Sequence, residues 1–176
     1  GAKTRYRQNI EAIKVMKRLR AECKQASEEE KAILSRYVGW GGLAYAFDPD
    51  KPEWSKEYTE LRDILDAEEY RLANESVLSA HYTPKTIIDG IYAALKQMGF
   101  VRGKILEPAL GIGNFIGLLP ETFNAKETYG VEIDSVTGSI AKLLYPETKV
   151  RIQGFEKTNF ANNSFDAVIT NVPFGS

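Results

Sequence analysis

Cysteine, histidine and long apolar runs are nearly absent from this sequence. Its 176 residues include one cysteine, Cys23, and one histidine, His81. A single cysteine excludes an internal disulfide and a cysteine-based zinc site, and a single histidine argues against a histidine metal cluster or catalytic triad. No apolar run is long enough to span a bilayer, and no signal peptide is visible. We therefore expect a cytoplasmic protein in a reducing compartment, without a metal or a membrane partner.

What remains is the composition of a folded protein whose charges nearly balance. Hydrophobic residues make up 43% of the chain and the formal net charge is −1, so a core can form and no overall field attracts nucleic acid. Positive charge is concentrated at the start of the chain, in Lys3, Arg5, Arg7, Lys14, Lys17, Arg18, Arg20 and Lys24. This cluster is either a DNA-facing helix or a solvated helix face, and the second interpretation is favoured.

The sequence changes character near residue 80. Residues 1–80 predict an N-terminal helical region, with capping boxes at 27–30 and 66–69 that each open a helix. The glycine-rich GWGGL segment at 39–43 cannot be helix interior, and we interpret it as a packed connection between helices. Residues 81–176 form a second predicted region, in which short apolar strands alternate with helices.

This alternation predicts an α/β fold with a parallel, doubly wound sheet. A helix is expected to begin at Thr83-Pro84 and to end at Gly99. The predicted strands are 104–107, 128–133, 149–152 and 165–170. In such sheets ligands bind at the carboxyl ends of the strands. The segments at those ends read EPALGIGNF (107–115), EID (132–134), GFE (154–156) and NVPF (171–174).

The first two strand ends suit a nucleoside ligand with a positive charge. Gly111 and Gly113 allow the backbone to pass close beneath a bound molecule. Glu107 repels phosphate and attracts a cation, Glu132 can accept hydrogen bonds from both ribose hydroxyls, and Ile133 can lie against adenine. A nicotinamide fold would require a third glycine where the sequence has Ile. Together these features describe S-adenosyl-L-methionine, although two glycines alone also suit an ordinary tight turn.

The fourth strand end suits the activation of a planar amino group. The Asn171 side-chain oxygen and the carbonyl of Val172 can both accept from an exocyclic amine, which turns its lone pair toward a methyl donor. Pro173 holds Val172 extended, and Phe174 can stack on a base. This chemistry works by positioning and electrostatics rather than by acid–base catalysis. The alternative is an ordinary turn after a strand.

In this order, EPALGIGNF, GVEID and NVPF resemble the motifs of the amino-group DNA methyltransferases. HYTP at 81–84, placed before the glycine turn, is similar to the order in the gamma-class N6-adenine enzymes. RYVGWGGL, EEY and AHYTP look more specifically like the large methylase–helicase fusion proteins of phages and conjugative elements. The resemblance covers nearly the whole chain. It implies a Rossmann-like S-adenosylmethionine-dependent methyltransferase fold, here with an incomplete parallel sheet and an N-terminal helical region.

The resemblance also implies the functional residues. Tyr82 and Thr83 would hold the methionine end of the cofactor, at a helix N-terminus that suits its carboxylate. The expected cofactor-binding residues are Tyr82, Thr83, Glu107, Ala109, Gly111, Gly113, Asn114, Phe115, Glu132, Ile133, Phe155 and Glu156. The expected catalytic residues are Asn171, Val172, Pro173 and Phe174.

Three departures from the family pattern bear on these expectations. The residue after the catalytic Asn is Val172 rather than Pro, but only its carbonyl is needed. Phe155 precedes Glu156 where the family places an acid first, so that Gln153 is an alternative contact to the cofactor adenine. Four strands are visible where the family has seven. The chain therefore resembles the front of a longer polypeptide, one that includes further methyltransferase strands and a helicase. We expect weak cofactor binding and no methylation of DNA by this piece alone.

Three functions are compatible with these residues. The first is adenine-N6 methylation of DNA, acting on a flipped base. The second is methylation of RNA or of a protein glutamine, because the same logic serves any planar amino group. The third is a non-catalytic DNA-binding or anti-restriction module that keeps the fold as a scaffold.

Overall fold

The computed structural model describes residues 1–78 and 82–171, apart from the side chain of Lys126. Contacts between Cα atoms divide these residues into two compact units, residues 1–78 and residues 82–171. In the described ranges no helix has both the length and the apolarity needed to cross a bilayer.

The first unit is helical. Its α-helices are α1 (Ala2–Glu22), α2 (Glu28–Leu34), α3 (Ser55–Ile64) and α4 (Ala67–Ser76), with short 3-10 turns at Ala44–Phe47 and Pro52–Trp54. Both predicted capping boxes are present. Ser27 and Asp66 each accept a hydrogen bond from the backbone N–H three residues on, and the Glu at that position accepts from the backbone N–H of the capping residue. The local sequence therefore defines where α2 and α4 begin.

The basic residues of α1 are paired with acidic side chains of the other helices. Lys14 contacts Glu60 of α3 at 2.9 Å, and Arg18 contacts Glu30 of α2 at 2.6 Å. Lys17 reaches the buried Glu69 of α4 at 2.5 Å. These pairs hold the helices together and neutralise much of the cluster, which supports the solvated-face interpretation over a DNA-facing helix.

The GWGGL segment is a packed connection, as the sequence suggests. The Trp40 side chain is buried. The buried Asn9 of α1 fixes the segment through its amide, because its Nδ2 donates to the Gly39 carbonyl at 2.7 Å and its Oδ1 accepts from the Val38 N–H at 2.9 Å. Both contacts are internal to the first unit, so the structure gives this segment a role in packing.

The second unit is an α/β fold with a parallel sheet, which confirms the predicted fold class. Its elements are α5 (Lys85–Gln97), β1 (Arg102–Glu107), α6 (Asn114–Gly117), β2 (Asn124–Glu132), α7 (Ser135–Leu144), β3 (Lys149–Ile152) and β4 (Ala167–Val168). The strand order is β3-β2-β1-β4, and every described pairing is parallel. This is the order of the first four strands in Rossmann-like sheets.

One face of this sheet is covered by α5. Ile88 and Tyr92 of α5 pack on Ile105 of β1 and on Ala167 and Ile169 at β4. The Tyr92 hydroxyl also donates to the carbonyl of Phe115, which ties α5 to α6. This core holds the ends of β1 and β4 in place.

Several predicted boundaries are wrong. β1 begins at Arg102 rather than at residue 104, and β2 spans Asn124–Glu132 rather than 128–133. Helix α5 begins at Lys85 with Pro84 in the capping position, so Thr83 is not its N-cap. The regular part of β4 is shorter than predicted. The Asp166 carboxylate accepts from the Lys104 N–H at 2.7 Å, so a side chain replaces the backbone acceptor where the strand would have started.

Candidate functional site

The site lies where the strand order reverses. The chain passes from β1 to β2 and β3 on one side, whereas β4 pairs with β1 on the other, with Leu106 opposite Val168. The Ile169 N–H donates to the Leu106 carbonyl at 2.9 Å, so the pairing continues toward the carboxyl ends. Ligands of open α/β sheets bind in the crevice at this position.

A tight turn follows β1 and is fixed to β2. The Leu110 N–H donates to the Val131 carbonyl at 2.9 Å, and the Gly113 N–H donates back to the Leu110 carbonyl at 2.9 Å. Gly111 and Gly113 have φ values of 56° and 84°, in the left-handed region that glycine adopts most readily. Backbone hydrogen bonds therefore tie the turn to β2, and its conformation favours glycine at both positions.

The two glycines face tyrosines, which corrects the reason given for them from the sequence. A Cβ added to Gly113 would lie 2.7 Å from the Tyr145 ring, and one added to Gly111 would lie 3.1 Å from the Tyr82 ring. Close packing against protein side chains thus already accounts for the absence of side chains here. A ligand that lies directly on Gly111 requires the Tyr82 ring to rotate away.

Glu132 ends β2 and is held by backbone donors. Its Oε2 accepts from the Gly111 N–H at 2.8 Å and its Oε1 accepts from the Asp134 N–H at 2.9 Å. Burial raises the pKa of Glu132, while these backbone hydrogen bonds oppose the rise. Each carboxylate oxygen has a second lone pair, so hydroxyl groups of a ligand can still donate to it.

Glu107 ends β1 and is a buried carboxyl with an unused oxygen. The residue is 3% exposed, and its Oε2 has no hydrogen-bond partner among the described residues. Burial, with the neighbouring Glu132 carboxylate, raises the pKa of Glu107 to about 9. Buried carboxyl oxygens are normally satisfied, so this one points to a ligand group.

Apolar side chains stand at the ends of β2 and β3. Ile133 is 59% exposed and Phe155 is 48% exposed, both unusual for large apolar residues. Glu156 is also exposed, and the Gln153 N–H donates to the Glu132 carbonyl at 2.9 Å. Exposed apolar side chains beside a polar backbone suit a planar heteroaromatic ring.

Asn171 and Thr83 meet at the end of β4. The Asn171 Nδ2 donates to the Thr83 Oγ1 at 3.0 Å, although 88 residues separate them. This hydrogen bond leaves the Asn171 side-chain oxygen as the acceptor that remains for another group. The predicted catalytic residues Val172, Pro173 and Phe174 lie outside the described residues.

The remaining predicted residues have more limited roles. Ala109 is half-buried in the turn, and Asn114 opens α6. Phe115 packs into the core with Ile88 and Tyr92, so only its backbone is available to a ligand. Binding of the cofactor by Phe115 therefore stays a prediction, and it concerns the backbone N–H and carbonyl of this residue only.

Two residues of the site escaped the sequence analysis. Tyr145 follows α7 and packs against the glycine turn, a long-range contact that no local pattern indicates. Thr170 precedes Asn171, and its buried Oγ1 has no hydrogen-bond partner among the described residues. Its position directly before the predicted catalytic Asn171 is the one sequence signal that could have indicated it.

Comparison with known proteins gives a sequence relative and several solved structures, two of which are described below. No family model matches the chain. The Defense against restriction protein B of Escherichia phage P1 is 32% identical over 151 residues, which cover 85% of this chain and 5% of that protein. The matched stretch is longer than either unit, so it includes residues of both. The chain therefore spans about a twentieth of the length of this relative.

The two solved structures are less similar in sequence. A candidate RNA methyltransferase of Pyrococcus horikoshii is 24% identical, with a TM-score of 0.45 over 55% of this chain and 50% of that chain. A candidate class I S-adenosylmethionine-dependent methyltransferase of Listeria monocytogenes is 17% identical, with a TM-score of 0.48 over 96% of this chain and 60% of that chain.

Proposed function

We propose that residues 82–171 are the cofactor-binding front of an S-adenosylmethionine-dependent DNA adenine-N6 methyltransferase, completed by other parts of a longer polypeptide. One observation carries the proposal. Asn171, at the end of β4, lies one strand from the Glu107 end of β1, at the point where the strand order reverses. An amine acceptor and a nucleoside cofactor would thus be held side by side.

The residues present fit S-adenosylmethionine. The unpartnered oxygen of Glu107 suits a cationic group, the Glu132 carboxylate suits ribose hydroxyls, and the exposed Ile133 and Phe155 suit the adenine ring. When bound, this cofactor supplies a methyl group carried on a positively charged sulfur. The chain itself binds and orients, since its residues offer hydrogen-bond acceptors and apolar contacts.

Asn171 is the residue that would orient the acceptor. Thr83 takes up the Nδ2 group, so the Asn171 oxygen is left for the N–H of an exocyclic amine. In this proposal Thr83 has two roles. It positions the Asn171 side chain, and it also binds the methionine end of the cofactor. The carbonyl of Val172 is the proposed second acceptor. Two acceptors on one amine make its nitrogen lone pair available to the methyl donor.

The direct test is calorimetric titration of the chain with S-adenosylmethionine. We expect saturable heat with the wild-type chain and at least about tenfold weaker binding by Glu132→Ala, because a hydrogen bond to a charged group is worth about 1.5–3 kcal/mol. Glu147→Ala, at an exposed site near β3, is the matched control and should bind like the wild type. The absence of heat with the wild type, both in this chain and in a longer parent protein, would overturn the proposal.

A second candidate function is a non-catalytic anti-restriction module. The name of the phage relative, Defense against restriction protein B, favours it. The two candidates differ in whether Asn171 is needed. In a longer parent protein, Asn171→Ala should abolish N6-methyladenine formation, measured by mass spectrometry of digested DNA, if the protein is an enzyme. Protection from restriction that is unchanged in this variant would favour the non-catalytic module.

A further inference from the structure

Two carboxyl groups lie at the ends of neighbouring strands, Glu107 at the end of β1 and Glu132 at the end of β2. Glu107 is 3% exposed, with one oxygen that lacks a partner among the described residues, while both oxygens of Glu132 accept backbone N–H groups. A negative charge on the half-buried Glu132 disfavours a second negative charge on the buried Glu107, so the two groups do not readily ionise together. The donors at Glu132 favour its charged form. Glu107 is then the member of the pair that keeps the proton.

The groups around Glu107 do not offset a negative charge on it. It interacts electrostatically with Glu132 of β2, Tyr92 of α5 and Tyr145 after α7. The described polar residues that follow β4, the strand paired with β1 on its other side, are the neutral Thr170 and Asn171. Within residues 82–171, no Lys or Arg forms an ion pair with Glu107 or Glu132. Among these described residues none supplies a positive charge that would compensate an ionised Glu107, and a cationic ligand can supply it.

We propose that Glu107 is a neutral carboxylic acid in the free protein and ionises when the positively charged part of the cofactor binds, so that binding releases a proton. This inference rests on the proposed function. The O–H bond of the Glu107 carboxyl breaks, its proton passes to the solvent buffer, and the carboxylate formed is balanced by the cationic group of the ligand. Glu107 thus selects a ligand with positive charge at this position over a neutral analogue.

The physical basis is the cost of isolated charge in a buried site. A carboxylate without a counter-charge is disfavoured by desolvation, and an adjacent cation reverses the preference. Burial and Glu132 raise the pKa of Glu107 to about 9, which leaves the group protonated at neutral pH in the free protein. Arrival of a cation lowers that pKa, and the proton is lost.

Calorimetric titration with S-adenosylmethionine in two buffers tests the proposal on the chain as it is. At pH 7, a released proton is taken up by the buffer and adds the buffer's protonation enthalpy to the observed heat. The binding heats in phosphate and in Tris should therefore differ by the difference between the two buffers' protonation enthalpies, multiplied by about one proton for each ligand bound. Glu107→Gln, which keeps the shape but cannot ionise, should show a buffer difference close to zero. Glu147→Gln, at an exposed site, should behave like the wild type.

The outcomes separate this inference from the proposed function. Saturable binding with the same heat in both buffers would overturn the inference and leave the proposed function standing. No binding in either buffer, both by this chain and by a longer parent protein, would overturn both. If Glu107→Gln does not fold, ¹³C NMR of the glutamate side-chain carboxyls in the wild type replaces it. A buried carboxyl that titrates well above its usual range and ionises on ligand addition supports the proposal, and the absence of such a signal contradicts it.

Discussion

At the scale of single residues, Glu107 and Glu132 differ mainly in their hydrogen-bond partners. Both lie at the ends of neighbouring parallel strands, and burial raises the pKa of each. Only Glu132 has backbone donors on both of its oxygens. The same sequence feature, a Glu at a strand end, therefore has two outcomes. Glu132 is a carboxylate held by backbone donors, whereas Glu107 has an oxygen without a hydrogen-bond partner among the described residues.

Glu107 should make the free protein less stable as the pH rises. Its folded-state pKa of about 9 lies above its ordinary value of 4.5, so the folded state binds more protons between these values. Stability from this group is fully present below about pH 4.5 and is lost as the pH rises to about 9. Urea unfolding followed by circular dichroism should show a steeper loss between pH 6 and pH 9 in the wild type than in Glu107→Gln. Equal losses would contradict the assignment.

Gly113 should not tolerate a side chain. Gly113→Ala places a Cβ 2.7 Å from the Tyr145 ring at a φ of 84°, so we expect a loss of about 1–3 kcal/mol in the free energy of unfolding. Gly90 in α5 is the matched control, since a Cβ there meets nothing within 4 Å. Gly90→Ala should stabilise by about 0.5–1 kcal/mol. Urea unfolding of both variants gives the comparison, and equal effects of the two substitutions would rule out the packing argument.

Sequence reasoning found the residues at the strand ends but not their partners. Glu107, Glu132 and Asn171 could be placed because parallel strands bring their carboxyl ends to one edge. The contact between Tyr145 and Gly113 could not be predicted, since it depends on how α7 packs after the chain has folded. The hydrogen bond between Thr83 and Asn171 joins distant segments for the same reason.

At the scale of elements, local capping signals were the most informative part of the sequence. The capping boxes fixed the beginnings of α2 and α4, and β3 was predicted at its observed limits. The start of α5, the beginnings of β1 and β2 and the length of β4 were missed. In β4, a side chain takes over a backbone hydrogen bond, and residue pattern alone does not indicate such a replacement.

Glu69 of α4 should contribute more to the free energy of unfolding than Glu30, the residue at the equivalent capping-box position of α2. It caps α4 and also pairs with Lys17 of α1 at 2.5 Å while 3% exposed, so Glu69→Ala removes a cap and a buried ion pair together. We expect a loss of about 2–4 kcal/mol. Both tryptophans, Trp40 and Trp54, belong to the first unit, so their fluorescence during urea unfolding reports this loss.

Glu30 provides the control for this measurement. It completes the equivalent capping box of α2, but its ion pair with Arg18 is more exposed. Exposed pairs add little to stability, so Glu30→Ala should cost clearly less than Glu69→Ala. An equal or larger loss in Glu30→Ala would mean that the buried pair does not stabilise the first unit.

At the scale of the whole molecule, the sheet has an open edge at β4 among the described strands. β4 pairs only with β1 among the described strands, and Val168 at this edge is 58% exposed. An open apolar edge is a place where further strands can add. The phage relative is far longer than this chain, which fits the proposal that additional segments complete the acceptor site.

The central claim is that the cofactor turn and Asn171 form one site, and NMR titration tests it most directly. S-adenosylmethionine is added to the ¹⁵N-labelled chain, and backbone and side-chain amide signals are followed. We predict that signals of Gly111, Ile133 and the Asn171 side-chain amide shift together and saturate at one ligand concentration. Saturating shifts confined to residues 1–78, or shifts at Gly111 without any change at Asn171, would contradict the account.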